Sequence, residues 1–361
     1  MNSSQIIFSE TPGKIFVDCK LLKQNDTYIQ NLKCISSSII GVVVGYLLPI
    51  FSIPCILINL FIAVSVVIKG RRAARQLIYI SGICLSSATA DIMFIWLWQY
   101  PAYGLPYTTN GTQFFTFLNV SPTACRFHRF VYSSSATFMC NMRVCASFDR
   151  CLAVFAPIRL RNFRHQYAWY VYGFVFLLSG LLMLPFVIQI DWRLSGTGIH
   201  CWVPNTSIQI QLYHTFLSNL GPIQTIMLII IDLAFAFKFR QQFNKYKKDA
   251  INTKDRQLHR YLLLFVSAAS YTLLAATQCT FLSLARLSSV GIIKFETGLA
   301  YNMSDILWYL NILREFLDFF IYQKCFQIFD SITSRVFGIC RKQVKNVQSN
   351  TRSSASDMTL G

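Results

Sequence analysis

Long apolar stretches dominate this chain and restrict what it can fold into. A helix needs about 20 mostly apolar residues to cross the hydrocarbon layer of a membrane, and several stretches reach that length. Hydropathy alone supports five or six spans, because the third, sixth and seventh stretches contain charged or polar side chains. The prediction is an all-α membrane protein, a bundle of seven transmembrane helices at 39–68, 77–99, 125–153, 167–190, 213–239, 257–285 and 301–322.

Charged side chains are scarce, which disfavours several classes of protein. Only 13% of the residues are charged and the mean hydropathy is +0.44, whereas a soluble domain has roughly 25% charged residues. Soluble enzymes, disordered chains, coiled coils and disulfide-knotted domains are therefore not expected. The excess of Lys and Arg gives a net charge of +18. In a membrane protein, such an excess is expected in the cytoplasmic loops, beside the lipid. Nucleic acid is not an expected partner, because nucleic-acid-binding domains lack such long apolar runs.

The distribution of Lys and Arg predicts the orientation in the membrane. Most of them fall in the loops and tail that are cytoplasmic if the N-terminus is outside, as the positive-inside bias requires. All Asn-x-Ser/Thr sequons fall on the opposite, outer side. We therefore expect a multi-pass plasma-membrane protein with an extracellular N-terminus and a cytoplasmic C-terminus. The glycosylation candidates are Asn2, Asn25, Asn110 and Asn205, with weaker sequons at Asn119 and Asn302.

Four segments follow from these patterns. Residues 1–38 form an extracellular segment, and residues 39–322 form the membrane domain. The first apolar stretch begins too late and is too long to be a cleaved signal peptide, so it is predicted to be a signal anchor. Apolar residues recur every three or four positions in 323–340, which predicts a short amphipathic eighth helix at the membrane surface. Residues 341–361 are polar and predicted to be disordered. Cys340 is a palmitoylation candidate, with a plain free thiol as the alternative.

The third stretch carries the most specific motif. It closes on Asp149-Arg150, followed by Pro157, and Cys125 opens it. This arrangement resembles the third helix of rhodopsin-like G-protein-coupled receptors, with a further likeness to invertebrate peptide receptors. The resemblance covers about residues 39–340. It extends to Asn59 in the first helix, Asp91 in the second, and Asp318 and Tyr322 at the family's Asn-Pro-x-x-Tyr positions in the seventh.

The resemblance implies roles for the cytoplasmic end. Arg150 would pair with the adjacent acid in the inactive state and contact a heterotrimeric G protein in the active state, with Pro157, Asp318 and Tyr322 taking part in activation. The alternative for Arg150 is a cation that snorkels to the membrane surface. The chain departs from the family pattern in lacking a proline in helix six, which would then be unkinked. Either helix six moves as a straighter rod, or activation differs in this branch.

Charged side chains inside the predicted bundle form a candidate polar core. Each costs at least about 2.5 kcal/mol in the membrane, so they must face one another. Receptors of this family hold sodium at the helix-two Asp; our hypothesis is that the Arg314 guanidinium replaces the ion and bridges Asp91 and Asp318. Arg143 would pair with Glu315 or Asp91. The alternative is a purely structural network. The predicted core is Asn59, Asp91, Arg143, Arg314 and Glu315.

The predicted outer face suggests a covered ligand site. The resemblance implies a disulfide from Cys125 to Cys201, whereas Cys19 and Cys34 are left paired or free. Residues 192–211 read as a β-hairpin with a glycine turn. Tyr132 stands where amine receptors have Asp, so a monoamine is disfavoured. The remaining basic and aromatic mouth suits an anionic or peptide ligand, and the pocket candidates are Arg129, Tyr132, Trp202 and Tyr301.

The expected function is therefore a receptor that binds an extracellular ligand, foremost a neuropeptide, and activates a heterotrimeric G protein. One alternative is a chemosensory receptor for small external molecules with the same fold. A second is a polytopic transporter, which would show inverted half-repeats. No phosphate loop, metal-ligand spacing or Ser-His-Asp set is evident, so we predict no enzymatic activity, metal or cofactor.

Overall fold

The structure of the chain is a computed structural model. The structure describes residues 11, 13–24, 27–70, 75–156, 166–195, 198–203, 208–217, 222–246 and 252–325. Several predicted features lie outside these ranges and are not tested: the sequons at Asn2, Asn25 and Asn205, Pro157, Cys340, the amphipathic segment after Cys325, and the tail 341–361.

The described chain is mostly helical. A single β-hairpin interrupts the described helices: β1 (Asp191–Ser195) pairs antiparallel with β2 (Gly198–Trp202). The helices are α1 (Lys14–Leu22), α2 (Tyr28–Val42), α3 (Leu48–Lys69), α4 (Arg75–Asp91), α5 (Leu105–Thr108), α6 (Pro122–Phe155), α7 (Gln166–Gln189), α8 (Ile208–Leu217), α9 (Pro222–Tyr246), α10 (Asn252–Ser289) and α11 (Thr297–Cys325). Wider π-helical turns join α2 to α3 (Val43–Leu47) and α4 to α5 (Ile92–Gly104).

Five helical segments are long and apolar enough to cross a membrane. The chain is therefore a mostly helical, multi-pass membrane protein, as predicted. Helices α6 and α11 are as long as the others but carry several charges, so composition alone does not place them in the membrane. The five segments are Tyr28–Ile68, Arg75–Thr108, Gln166–Gln189, Pro222–Gln241 and Leu262–Ser289.

Helix α6 packs against α4, α7 and α9. It begins at Pro122, where a missing backbone N–H costs nothing because the first turn has no partner for it. The Ser121 hydroxyl caps this end by accepting a hydrogen bond of 3.0 Å from the backbone N–H of Ala124. The 34 residues of α6 extend about 50 Å, which exceeds the hydrocarbon thickness of about 30 Å.

The predicted stretch 213–239 is described in two parts. Helix α8 is described up to Leu217, and helix α9 is described from Pro222 onward. Residues 218–221, which join them, lie outside the described ranges, so a single helix over this stretch stays a prediction.

The N-terminal segment contains a helix that its composition did not predict. Helix α1 is attached to α2 by a disulfide between Cys19 and Cys34, the pair that the sequence left undecided. The Ser37 hydroxyl donates to the Asp18 carboxylate, and the Gln30 amide donates to the Asp18 carbonyl at 2.6 Å. These bonds give α1 a fixed position on α2.

The chain divides into two compact units. One comprises Met1–Ala250 with Ala268–Phe316, and the other comprises Ile251–Ser267 with Leu317–Gly361. The cavity and the charged cluster analysed below lie in the first unit. Asp318 and Tyr322 lie in the second.

The contact between Gly41 and Tyr107 provides a test of this packing. A Cβ atom on Gly41 would overlap the Tyr107 ring, which stacks on Phe16 of α1 at 6.0 Å. We expect Gly41→Ala to destabilise the protein by about 1–3 kcal/mol through overpacking. Gly180→Ala is the control, because a Cβ there meets no atom within 4 Å. Thermal unfolding in detergent should show a lower midpoint for Gly41→Ala only; equal midpoints would contradict the packing.

Candidate functional site

A cavity of about 700 Å³ lies within the first unit. Its volume is in the range of small-molecule sites, about 300–1,000 Å³. Residues of α1, α6, the β-hairpin, α8, α10 and α11 contribute to its wall. All four residues predicted for the ligand pocket line it: Arg129, Tyr132, Trp202 and Tyr301.

Aromatic rings form much of one wall. Tyr132 of α6 stacks on Phe94 with ring centroids 5.6 Å apart, and it meets Trp308 of α11 edge to face at 6.2 Å. Phe94 also packs against Trp308 at 5.6 Å. Such contacts add about 0.5–1.5 kcal/mol per pair beyond area burial. The wall is therefore a packed surface that joins α6 and α11.

Two guanidinium groups converge on the Trp202 indole. The Arg286 guanidinium carbon lies 4.0 Å from the Trp202 ring centroid, and that of Arg129 lies 5.3 Å away. Arg129 also lies 4.5 Å from the Trp98 ring. Cation–π contacts of this kind hold the charges at fixed places on the wall. The cavity therefore has a basic and aromatic end, as the sequence predicted for the mouth.

The β-hairpin is attached to α6 beside this end. Cys125 and Cys201 form the disulfide that the family resemblance implied. Cys125 is buried together with Phe186 and Ile190. The Trp192 indole donates to the Leu118 carbonyl at 3.1 Å. These contacts fix β2, and with it Trp202, against the cavity.

A buried cluster of charges lies further along α6. Arg143 Nη2 is 2.8 Å from Glu315 Oε1, and Arg314 Nη2 is 3.8 Å from the same oxygen. All three side chains are at most 9% exposed. The Ser87 hydroxyl donates to the other Glu315 oxygen. The Tyr271 ring lies 3.8 Å from the Arg143 guanidinium carbon. Of the two partners predicted for Arg143, the structure places Glu315 against it.

The hypothesis that Arg314 replaces a sodium ion stays a prediction. Arg314 Nε donates to the Asn311 side-chain oxygen at 3.4 Å. Asp318 and Ser267 both belong to the second unit, where the Asp318 carboxylate accepts a 2.6 Å hydrogen bond from the Ser267 hydroxyl. Asp91 is buried, and its Oδ2 has no hydrogen-bond partner in the described parts of the chain.

The residues fit a sodium ion poorly. Ligand atoms of Cys55, Asp91 and Glu315 lie within 4.8 Å of one another, but a thiol is a poor ligand for a hard cation. Arg143 and Arg314 already supply positive charge at Glu315. Asn59 also faces Cys55, whose sulfur accepts from its amide at 3.6 Å.

The predicted coupling residues are only partly described. The Asp149 carboxylate lies 3.6 Å from the Arg75 guanidinium of α4, a partner that the sequence did not identify. Arg150 donates to the Ala146 carbonyl at 3.2 Å and to Ser147. Tyr322 is buried in the second unit. Arg75 follows a cluster of basic residues, and only its position at the start of α4 distinguishes it from them.

Comparison with known proteins adds no assignment: no family model matches the chain, and no curated protein is detectably similar to it.

Removing one partner of the buried ion pair between Arg143 and Glu315 should destabilise the first unit strongly. Arg143→Gln leaves a buried carboxylate without its closest cation, so we expect a loss of about 3–5 kcal/mol. Adding Glu315→Gln should recover part of that loss, because the uncompensated charge disappears.

The control is Arg126→Gln, which breaks the half-exposed pair with Asp191 and a 2.8 Å hydrogen bond to the Ile190 carbonyl, and it should cost about 1–2 kcal/mol. Thermal unfolding of purified protein in detergent measures all variants. Equal losses for Arg126→Gln and Arg143→Gln would show that the buried pair has no special role.

The cluster also predicts indifference to sodium. We expect equal unfolding midpoints in sodium chloride and in N-methylglucamine chloride at the same ionic strength, because guanidinium groups already neutralise Glu315. A midpoint raised by sodium, and no longer raised in Asp91→Asn, would refute the replacement of the ion by arginine.

Proposed function

We propose that this protein is a G-protein-coupled receptor. Its extracellular ligand, foremost a neuropeptide, binds in the cavity and shifts the bundle toward a state that activates a heterotrimeric G protein. The observation that carries the proposal is the placement of two sites on α6. Arg129 lines the cavity and Arg150 lies near the other end of the helix, about 32 Å away along its axis. That distance is close to the hydrocarbon thickness of a membrane.

The proposal counts α6 and α11 as membrane spans, which gives seven. Their charges face the protein: Arg143 is 7% exposed and Glu315 is 9% exposed at the side chain. A charged residue that faces a partner inside the bundle does not contact lipid, so it is compatible with a span.

The proposed orientation places the cavity outside the cell. Two disulfides, Cys19–Cys34 and Cys125–Cys201, join elements that line or adjoin the cavity, and disulfides persist in an oxidising compartment. The basic loops and tail would then lie in the cytosol, near the G protein and the anionic lipid leaflet.

The charged cluster would couple the cavity to the end of α6 that carries Arg150. Arg143 and Glu315 belong to α6 and α11, the helices that also provide Tyr132 and Trp308 to the cavity wall. A ligand that binds one arrangement of these helices more tightly shifts the equilibrium toward it. Reorientation of α6 would then move Asp149 and Arg150 relative to α4.

A receptor for small external molecules is the second candidate. The cavity volume of about 700 Å³ suits a drug-sized molecule or a few residues of a peptide. Both candidates share the fold, the cavity and the G protein, and they differ in ligand.

A ligand screen tests the proposal. Cells that express the chain with a promiscuous G protein are exposed to peptide and small-molecule libraries, and nucleotide exchange is measured. We expect a ligand to stimulate exchange, and Arg150→Ala to abolish it at unchanged surface level. Arg126→Gln is the matched control and should keep the response.

The position of the two termini relative to the membrane tests the proposal independently of any ligand. An N-terminal epitope tag should bind antibody on intact cells, and a C-terminal tag should bind only after permeabilisation. A hidden N-terminal tag, or uptake of a labelled solute without nucleotide exchange, would contradict the receptor and favour a transporter.

A further inference from the structure

Helix α1 forms part of the cavity wall. Lys14, Ile15, Val17 and Asp18 line the cavity together with Arg129 and Arg286. Helix α1 is fixed to α2 by the Cys19–Cys34 disulfide, so the wall is covalently anchored. A segment that reads from sequence as a polar extension is thus placed at the binding site.

The contacts of α1 are made with the interior of the protein. Ile15 is buried, and Phe16 stacks on Tyr107 at 6.0 Å. The Lys14 ammonium lies 5.6 Å from the Tyr103 ring centroid. These contacts direct Lys14 toward the cavity, so that α1 adds a third cation to the wall.

The charges of the wall favour a negative ligand group. The lining carries three cations, Lys14, Arg129 and Arg286, against two carboxylates, Asp18 and Asp305. Asp305 lies within electrostatic reach of all three cations, so the formal excess of the lining is one positive charge. Asp18 already accepts a hydrogen bond from Ser37.

The guanidinium groups of Arg129 and Arg286 also lie on a common indole, that of Trp202. Arg286 Nε is buried and has no hydrogen-bond partner within the described ranges. A carboxylate is the ligand group that a guanidinium binds most directly, through paired N–H donors.

We propose that the cavity binds the carboxylate of an organic anion between Arg129 and Arg286, and that the disulfide-anchored helix α1 encloses the bound anion and supplies Lys14 as a third cation. The carboxylate belongs either to a small organic acid or to a peptide. This inference shares one premise with the proposed function, namely that the cavity opens to the outside medium.

Reagents of opposite charge test the sign of the cavity potential without knowledge of the ligand. Ser133 is buried, lines the cavity and lies one turn from Arg129. A Ser133→Cys variant is labelled on intact cells with sulfonatoethyl or trimethylammonium-ethyl methanethiosulfonate, and the rates are compared with those of the unsubstituted chain. Ser304→Cys provides a second buried position in the same wall.

The ratio of the two rates reports charge. We expect Arg129→Gln with Arg286→Gln to lower the anionic-to-cationic ratio about tenfold, the lower end of electrostatic rate effects. Lys14→Gln should lower it to a smaller extent. Lys20→Gln is the matched control, because Lys20 lies on α1 but is not part of the lining. An unchanged ratio in the double Arg variant, with normal surface expression, would overturn the assignment of an anion.

The absolute rates report access. Cys19→Ser with Cys34→Ser releases α1, so both reagents should react faster by a similar factor, at least about threefold if enclosure limits access as it does for lids. Equal rates with and without the disulfide would overturn the enclosing role of α1.

Protection distinguishes the sources of the carboxylate. Labelling is repeated with 3-phenylpropionate and its amide, and with N-acetyl-triphenylalanine and its amide. Protection by the small acid over its amide identifies an organic acid, and protection by the peptide acid over its amide identifies a peptide. No preference for the acid in either pair would contradict the proposal.

The results separate this inference from the receptor proposal. Labelling only after permeabilisation would refute the outward-facing cavity, and with it both proposals. A charge-dependent ratio on intact cells without any ligand-stimulated nucleotide exchange would support the anion site and contradict the receptor.

Discussion

The buried ion pair between Arg143 and Glu315 constrains how α6 and α11 face each other in the first unit. A charge inside an apolar bundle is tolerated only with a partner, so α6 and α11 must turn these side chains toward each other. That requirement fixes the rotation of both helices. On α6, Arg129 lies about four turns before Arg143, and on α11, Tyr301 lies about four turns before Glu315. Residues at that separation share a face, so the same rotation directs Arg129 and Tyr301 to the cavity that both line.

Helices α6 and α11 contact each other at both sites: Tyr132 meets Trp308 in the cavity wall, and Arg143 pairs with Glu315 in the cluster. Tyr271 of α10 lies on the guanidinium groups of Arg143 and Arg314. Packed interiors resist gradual deformation, so a ligand that displaces one part of the interface favours a different arrangement of the whole. In the proposed receptor, this coupling would let ligand binding in the cavity influence Arg150 near the other end of α6.

The sequence predicted the residues of the cavity and of the charged cluster more reliably than it predicted contacts between distant parts of the chain. The Cys125–Cys201 bridge follows from the family resemblance. Of the pocket candidates, Arg129, Tyr132 and Tyr301 follow from residue type and position along long helices, as do the two partners predicted for Arg143, whereas Trp202 belongs to the β-hairpin. Helix α1 and the Arg75–Asp149 contact did not follow. Helix α1 is stabilised by a disulfide and by bonds to residues of α2, and such non-local contacts have no periodic signature.

Hydropathy identifies five apolar helices, whereas the proposal counts seven spans, and the difference arises from how hydropathy treats charged residues. Mean hydropathy counts every charge as a cost, regardless of which side of the helix carries it. In the proposed bundle, Arg143 of α6 and Glu315 of α11 face each other, so lipid would meet the apolar sides of these helices; Phe127 and Phe148 of α6 and Leu317 of α11 are exposed. A helix that must hold a ligand at one end and a charged contact in its middle needs polar residues inside. The helices with the weakest membrane signal are therefore the ones that carry the proposed function.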